Sequence, residues 1–234
     1  MALVARPLAY PAARRGARVK AAVLVAALVL TAAAPARALD VDLQAYDEAR
    51  RRGEMVTIAG RVYTERRRPN AEDLPMARAV VVALPRSEAL VRRLDDLRAH
   101  ARDSAAAYRE AATQMRRARE SYEREVWQSG AADLVRSTTV DADGRFTLSD
   151  LPAGRWMVWA THSEFLDARS PRYQARDRER YRLPPRLVGY YAERAWLREV
   201  DTTPGASTTL ELNDRNVWFA GVVEDRVLDA GPSR

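Results

Sequence analysis

Residues 137–162, STTVDADGRFTLSDLPAGRWMVWATH, constrain the fold more than any other part of the chain. Phe146 and Leu148 alternate with polar residues, and Trp156, Val158 and Ala160 do so again, which is the period-two pattern of half-buried strands. Asp143-Gly144 supplies the positive-φ positions of a hairpin turn, and Pro152-Ala153-Gly154 marks the next reversal. Three short strands joined by two tight turns predict an antiparallel β-sandwich. Such a scaffold suits binding or support better than catalysis, and this stretch specifies no ligand.

Further strands complete the scaffold. Residues 55–63, MVTIAGRVY, alternate apolar and polar with β-branched members and give the first strand. A charged loop follows over 65–75. The continuous valine run in 77–84 predicts a second strand, buried on both faces or central in its sheet. Residues 207–213 and 217–223 are the last two of seven strands. The expected fold is therefore mainly β, a single seven-stranded antiparallel sandwich over 54–230 with two insertions. A lead-in segment over 39–53 is expected to carry a short amphipathic helix.

The first insertion, 87–128, contains no Gly or Pro and is rich in Ala, Arg, Glu and Leu, so it is strongly helical. Leu90, Leu94, Leu97, Ala101, Ser104, Tyr108, Ala111, Met115, Ala118 and Tyr122 recur at spacings of three and four, the seam of helices packed side by side. One continuous helix of about forty residues would be roughly 60 Å long at 1.5 Å per residue. The few residues after it could not bring the chain back to the sandwich. A helical hairpin is therefore expected, with its reversal near Arg102-Asp103-Ser104 and Asp103 or Ser104 capping the second helix. An open seam would invite a partner or a second copy of the chain through 87–128.

The second insertion, 163–200, is mixed in character. Prolines 171, 184 and 185 punctuate it, and 187–199 reads as one amphipathic helix. It also holds the best candidate surface for a ligand or partner: Tyr173, Arg178, Tyr181, Arg182, Tyr190, Tyr191 and Trp196. Tyr and Trp beside arginine suit an interface or a sugar platform. The plainer alternative is that Tyr190, Tyr191 and Trp196 only pack the insertion onto the sandwich.

Residues 1–38 have the form of a Sec signal peptide. A basic stretch containing Arg14, Arg15, Arg18 and Lys20 precedes an uncharged apolar run over 21–34, and Ala36-Arg37-Ala38 fits the small-x-small cleavage rule. The apolar run is shorter than the ~20 residues of a membrane span, so no stable span is expected after cleavage. Export to the periplasm or outside the cell follows. The chain has 39 basic and 32 acidic residues, and six of the basic ones fall in 1–38, leaving 33 against 32. The high isoelectric point thus belongs to the signal, and nucleic acid is not an expected partner. With no cysteine, the domain must rely on an ordinary hydrophobic core.

Catalytic and metal-binding patterns are weak. His100 and His162 stand without neighbouring ligands of zinc spacing, and Ser163, His162 and Asp167 form only a formal triad without a nucleophile elbow. Asp141-Ala142-Asp143-Gly144 opens like a calcium loop, yet Pro152 stands where the closing glutamate belongs. No cofactor, metal or catalytic residue is expected.

The strands 55–63 and 77–84, followed by the central run, resemble the carboxypeptidase regulatory-like, or transthyretin-like, β-sandwich family. Thr139, Asp141, Asp143, Gly144, Phe146, Leu148, Leu151, Pro152, Gly154, Trp156 and Val158 carry the resemblance. Pro204-Gly205 followed by Thr209-Leu210-Glu211-Leu212 resembles the family's penultimate strand. The resemblance covers about half of the exported part, and both insertions depart from it. It implies a non-catalytic module that supports an enzyme, extends a surface protein, or binds sugars, peptides or proteins. The expected role is protein–protein interaction or cell-envelope structure, with another envelope protein as partner; the alternative is carbohydrate or peptide binding through 163–200.

Overall fold

The computed structural model describes residues 39–66, 72–168 and 185–227. The signal-like segment 1–38 and the candidates Tyr173, Arg178, Tyr181 and Arg182 lie outside the described residues.

Two sheets face each other. The first holds β1 (Met55–Thr64), β2 (Leu74–Pro75), β5 (Arg145–Pro152) and β8 (Ser207–Asn213), with β1 at its centre. The second runs in the order β4 (Arg136–Thr139), β3 (Val80–Pro85), β6 (Arg155–Asp167), β7 (Arg186–Asp201) and β9 (Phe219–Val227). Nine strands thus replace the expected seven among the described residues. All pairs are antiparallel except β1 with β8, which is parallel. The extra strands are β2, a two-residue partner of Tyr63 and Thr64, and β7.

The two tight turns form, but they are corners between sheets and not hairpins within one. Strand β4 belongs to the five-stranded sheet, β5 to the four-stranded sheet and β6 to the five-stranded sheet again. At the first corner the Asp141 carboxylate accepts from the backbone N–H of Asp143 at 2.9 Å and of Arg145 at 2.7 Å, and Gly144 takes φ +78°. This aspartate is occupied with turn chemistry. Alternation survives because each strand still presents one face inward: Phe146, Leu148, Trp156, Val158 and Ala160 are all buried.

The helical insertion is the expected hairpin. Helix α2 (Glu88–His100) and α3 (Ala105–Gln128) follow a short lead-in helix α1 (Leu43–Arg51). Ser87 caps α2 and Ser104 caps α3, each side-chain oxygen accepting a backbone N–H at 3.0 Å. The base of α2 is also tied to the lead-in segment. Ser87 donates its hydroxyl to Asp40 at 2.5 Å, and the Ala89 N–H donates to the other carboxylate oxygen at 2.7 Å. Burial pushes the Asp40 carboxyl up, but these hydrogen bonds outweigh it and hold it below its ordinary value.

The seam is not left open. Leu90, Leu94, Ala101, Ala111, Met115, Ala118 and Tyr122 are buried in the same core as the strands, and α3 crosses β9. Contact is close there: a side chain at Gly221 would collide with the Phe219 ring and press on the Ala112 methyl. Tyr122 donates its hydroxyl to the Pro85 carbonyl at 2.9 Å at the edge of β3. The five-stranded sheet is therefore covered on both faces, by the other sheet and by the hairpin. This is why Met157 and Trp159 of β6 are buried along with Trp156, Val158 and Ala160.

The largest correction concerns residues 187–199, which form strand and not helix. They lie within β7, which pairs with β6 from Arg155↔Asp201 to Asp167↔Gly189 and with β9 on its other edge. Ala, Glu, Arg and Leu favour a helix locally, yet two flanking ladders satisfy this backbone as a strand. Part of the second insertion is thus an extension of the sandwich. Residues 163–167 lengthen β6, and 186–201 return alongside it.

Candidate ligand-binding clefts beneath the hairpin

Strand alternation sorts the side chains of β6, β7 and β9. Trp156, Ala160, Trp196 and Val200 occupy one face, while Trp159, Thr161, Ser163 and Phe165 share the other with Ala195, Glu193 and Tyr191 of β7 and Phe219 and Val223 of β9. The first face is closed. Trp196 is completely buried and donates its indole N–H to the Asn213 carbonyl of β8 at 2.8 Å, while Trp156 donates to the Pro152 carbonyl at 3.0 Å. Trp156 also meets the Tyr46 ring edge-on at 5.2 Å. Trp196 is therefore core, and its place in the candidate surface is corrected: its neighbour across the ladder is Ala160, not a helical tyrosine.

The second face runs partly under α3 and partly into the open. A cleft of about 360 Å³ lies between Ala112, Met115, Arg116 and Arg119 of α3 and a strand floor that includes Trp159, Tyr191, Glu193 and Phe219. Arg116 reaches down to Glu193 in an ion pair, and the Ser163 hydroxyl donates to the same carboxylate at 3.3 Å. The Arg119 guanidinium pairs with Glu123, while its buried Nε has no hydrogen-bond partner. Beyond the cleft, Phe165 packs against Tyr191 with ring centroids 5.1 Å apart, and both are exposed, at 45% and 40%. Gly189 permits this, because a side chain there would strike the Phe165 ring. Floor and aromatic pair form one groove. Tyr190, one residue along the strand, projects to the opposite face, so the two adjacent tyrosines do not make a single surface.

A second cleft, of about 520 Å³, opens where α2 turns into α3. Arg98 from the last turn of α2, Arg102 from the connection, Tyr108 from α3, Arg198 from β7 and Trp218 before β9 line it, and Phe219 is shared with the first cleft. The Arg98 guanidinium lies over the Trp218 ring at 5.0 Å, and Trp218 meets Trp159 edge-on at 5.7 Å. Arg198 donates to the carbonyls of Leu197 and Asn216, both at 2.9 Å, and burial lowers its pKa.

The formal triad does not assemble. His162 and Ser163 point to opposite faces of β6, and Ser163 is engaged with Glu193. Burial, and then the Arg194 charge across the ladder, lower the His162 pKa. Among the described residues no cluster of three or more His, Cys, Asp or Glu could hold a metal ion. No described helix is long and apolar enough to cross a membrane.

Of the candidate ligand surface, Tyr190, Tyr191 and Trp196 are described, and Tyr191 lines the first cleft. Arg98, Arg116, Glu193 and Trp218, which also line the clefts, escaped sequence reasoning. Trp218 reads as one more core aromatic of a strand, and Arg98, Arg116 and Glu193 read as solvated helix charges. Nothing in their spacing marks them, because tertiary packing alone brings hairpin and sheet together. These elements define a two-sheet, mainly β domain with a helical hairpin laid across one sheet. No family model matches the chain, and no curated protein matches it. Among solved structures it is similar to a candidate carbohydrate-binding protein of Pseudomonas aeruginosa, at 13% identity and a TM-score of 0.37 over 68% of this chain and 88% of that one. A likeness of that size carries no argument about fold or ligand.

Proposed function

We propose that this chain is an exported, non-enzymatic binding module of the carboxypeptidase regulatory-like type, and that the groove beneath α3 holds a saccharide chain. One observation carries the reading: the exposed Phe165–Tyr191 pair continues the floor of a cleft whose polar groups are Arg116, Arg119, Glu193, Thr161 and Ser163. Aromatic faces accept the C–H surface of sugar rings, and the charged and hydroxyl groups at the end of the platform answer sugar hydroxyls.

Binding to a panel of neutral oligosaccharides, read by calorimetry, tests this. Tyr191→Ala and Phe165→Ala are each expected to weaken binding about tenfold or more while changing stability by less than ~1 kcal/mol, because both side chains are exposed. Unchanged affinity in both variants would overturn the reading.

A second reading, interaction with an envelope protein or with a second copy of the chain, is favoured by the exposure of Phe165, Leu166, Tyr191 and Val227 at one end of the sheet. Light scattering separates the two: a concentration-dependent mass that falls to monomer in the Tyr191→Ala variant supports the interaction reading.

A further inference from the structure

The arginine-lined cleft at the α2–α3 turn has a charge that no described carboxylate answers in an ion pair. Arg98, Arg102 and Arg198 converge there, and no carboxylate of the described residues forms an ion pair with any of them. Arg86 with Glu88 and Glu199, Arg116 with Glu193, and Arg119 with Glu123 show the alternative, a guanidinium answered by a carboxylate of the same domain. Partial burial makes the mismatch costly, since Arg198 loses hydration and receives only two backbone carbonyls in return. Three arginines with no ion pair among the described residues thus meet in one concave place, beside an aromatic wall.

The cleft's other wall is aromatic. Trp218 carries Arg98 on its ring, which fixes that guanidinium in orientation, and the Tyr108 side chain stands 40% exposed. At about 520 Å³ the space is within the range of small-molecule sites and far larger than an inorganic anion. The charge is also local. Without the signal-like segment the chain is close to neutral, so its net charge gives no general pull toward a nucleic-acid backbone.

We propose that this cleft binds an acidic saccharide, a sugar whose carboxylate is held by Arg98, Arg102 and Arg198 while its ring lies against Trp218 and Tyr108. A planar carboxylate matches the guanidinium fork in two parallel hydrogen bonds, and several such forks around one cleft select an anion over a neutral sugar. The site stands independently of the neutral groove beneath α3, with which it shares only Phe219.

The test uses the purified chain, a galacturonic acid trimer, the matching neutral galactose trimer and inorganic phosphate. Intrinsic tryptophan fluorescence reports binding, with Trp218→Phe identifying the responding ring. The acidic trimer is expected to bind and the neutral trimer to bind at least tenfold more weakly. Arg102→Glu, an exposed change in the turn, is expected to lower affinity for the acidic trimer at least tenfold, and Arg98→Gln to do likewise. Tyr191→Ala is expected to leave this affinity unchanged, which separates failure of this site from failure of the groove. Affinity within twofold of the parent in both arginine variants would overturn the proposal. Equal displacement by phosphate at the same concentration would also overturn it, reducing the cleft to a simple anion site.

Discussion

The two faces of the five-stranded sheet make an instructive pair. One presses on the other sheet and is sealed: Trp156, Val158, Ala160 and Trp196 are at most 1% exposed, and both indoles have found backbone carbonyls. The opposite face is covered by a two-helix hairpin that is narrower than the sheet. Under α3 it is as buried as the first, at Met157, Met115 and Trp159, but coverage ends before the strands do. Phe165 and Tyr191 emerge from it into solvent, and the two clefts lie along the hairpin's margins. A sheet closed by another sheet yields core; a sheet closed by a smaller element yields core and site together, because side chains of strand character run on past the edge of their cover.

The largest test of this contrast is Trp196→Ala. Removing a fully buried indole from the sealed face should cost about 3–5 kcal/mol, read from denaturant unfolding. Met115→Ala removes an equally buried side chain from beneath the hairpin. The cleft beside it lets the surroundings relax, so the cost should fall near the lower end of the ~2–5 kcal/mol range. If Met115→Ala proved the costlier change, the distinction between sealed and half-covered faces would fail.

The smallest effect concerns how the hairpin is anchored. Asp40→Asn should cost about 0.5–2 kcal/mol, since it weakens the hold on Ser87 and the Ala89 N–H at the start of α2. The sign of its pH dependence follows from a folded pKa held below the unfolded value. The contribution is present above the ordinary carboxylate range and lost as pH falls through the lowered folded pKa. The parent should therefore lose more stability than the Asp40→Asn variant on acidification below about pH 4. Parallel pH profiles would show that Asp40 does not anchor the hairpin.

Legibility in the sequence divides along the same line. The hairpin was readable because its periodicity, its lack of Gly and Pro, and the short return path are local facts; of the two caps they offered, Asp103 and Ser104, the structure uses Ser104. The alternation in 145–160 was equally readable, and those residues are core. The corner turns were misassigned as hairpins because a turn's residues fix its local geometry, not which sheet receives the next strand. Residues 187–199 failed for a stronger reason. Their composition favours helix by tenths of a kcal/mol per residue, whereas pairing with β6 and β9 satisfies the backbone on both edges.

By itself, then, the sequence determined a mainly β scaffold with strand faces set by alternation, a helical hairpin with its reversal, and the turn chemistry of Asp141 and Gly144. These depend on interactions within a few residues. Only the tertiary structure decided that the hairpin lies on the outer face of one sheet, that β7 is a strand, and that Arg98, Arg102, Arg198 and Trp218 share a cleft. Those outcomes join residues more than a hundred positions apart, as Arg98 and Trp218 are, and a pattern of period two or 3.6 carries no information at that range.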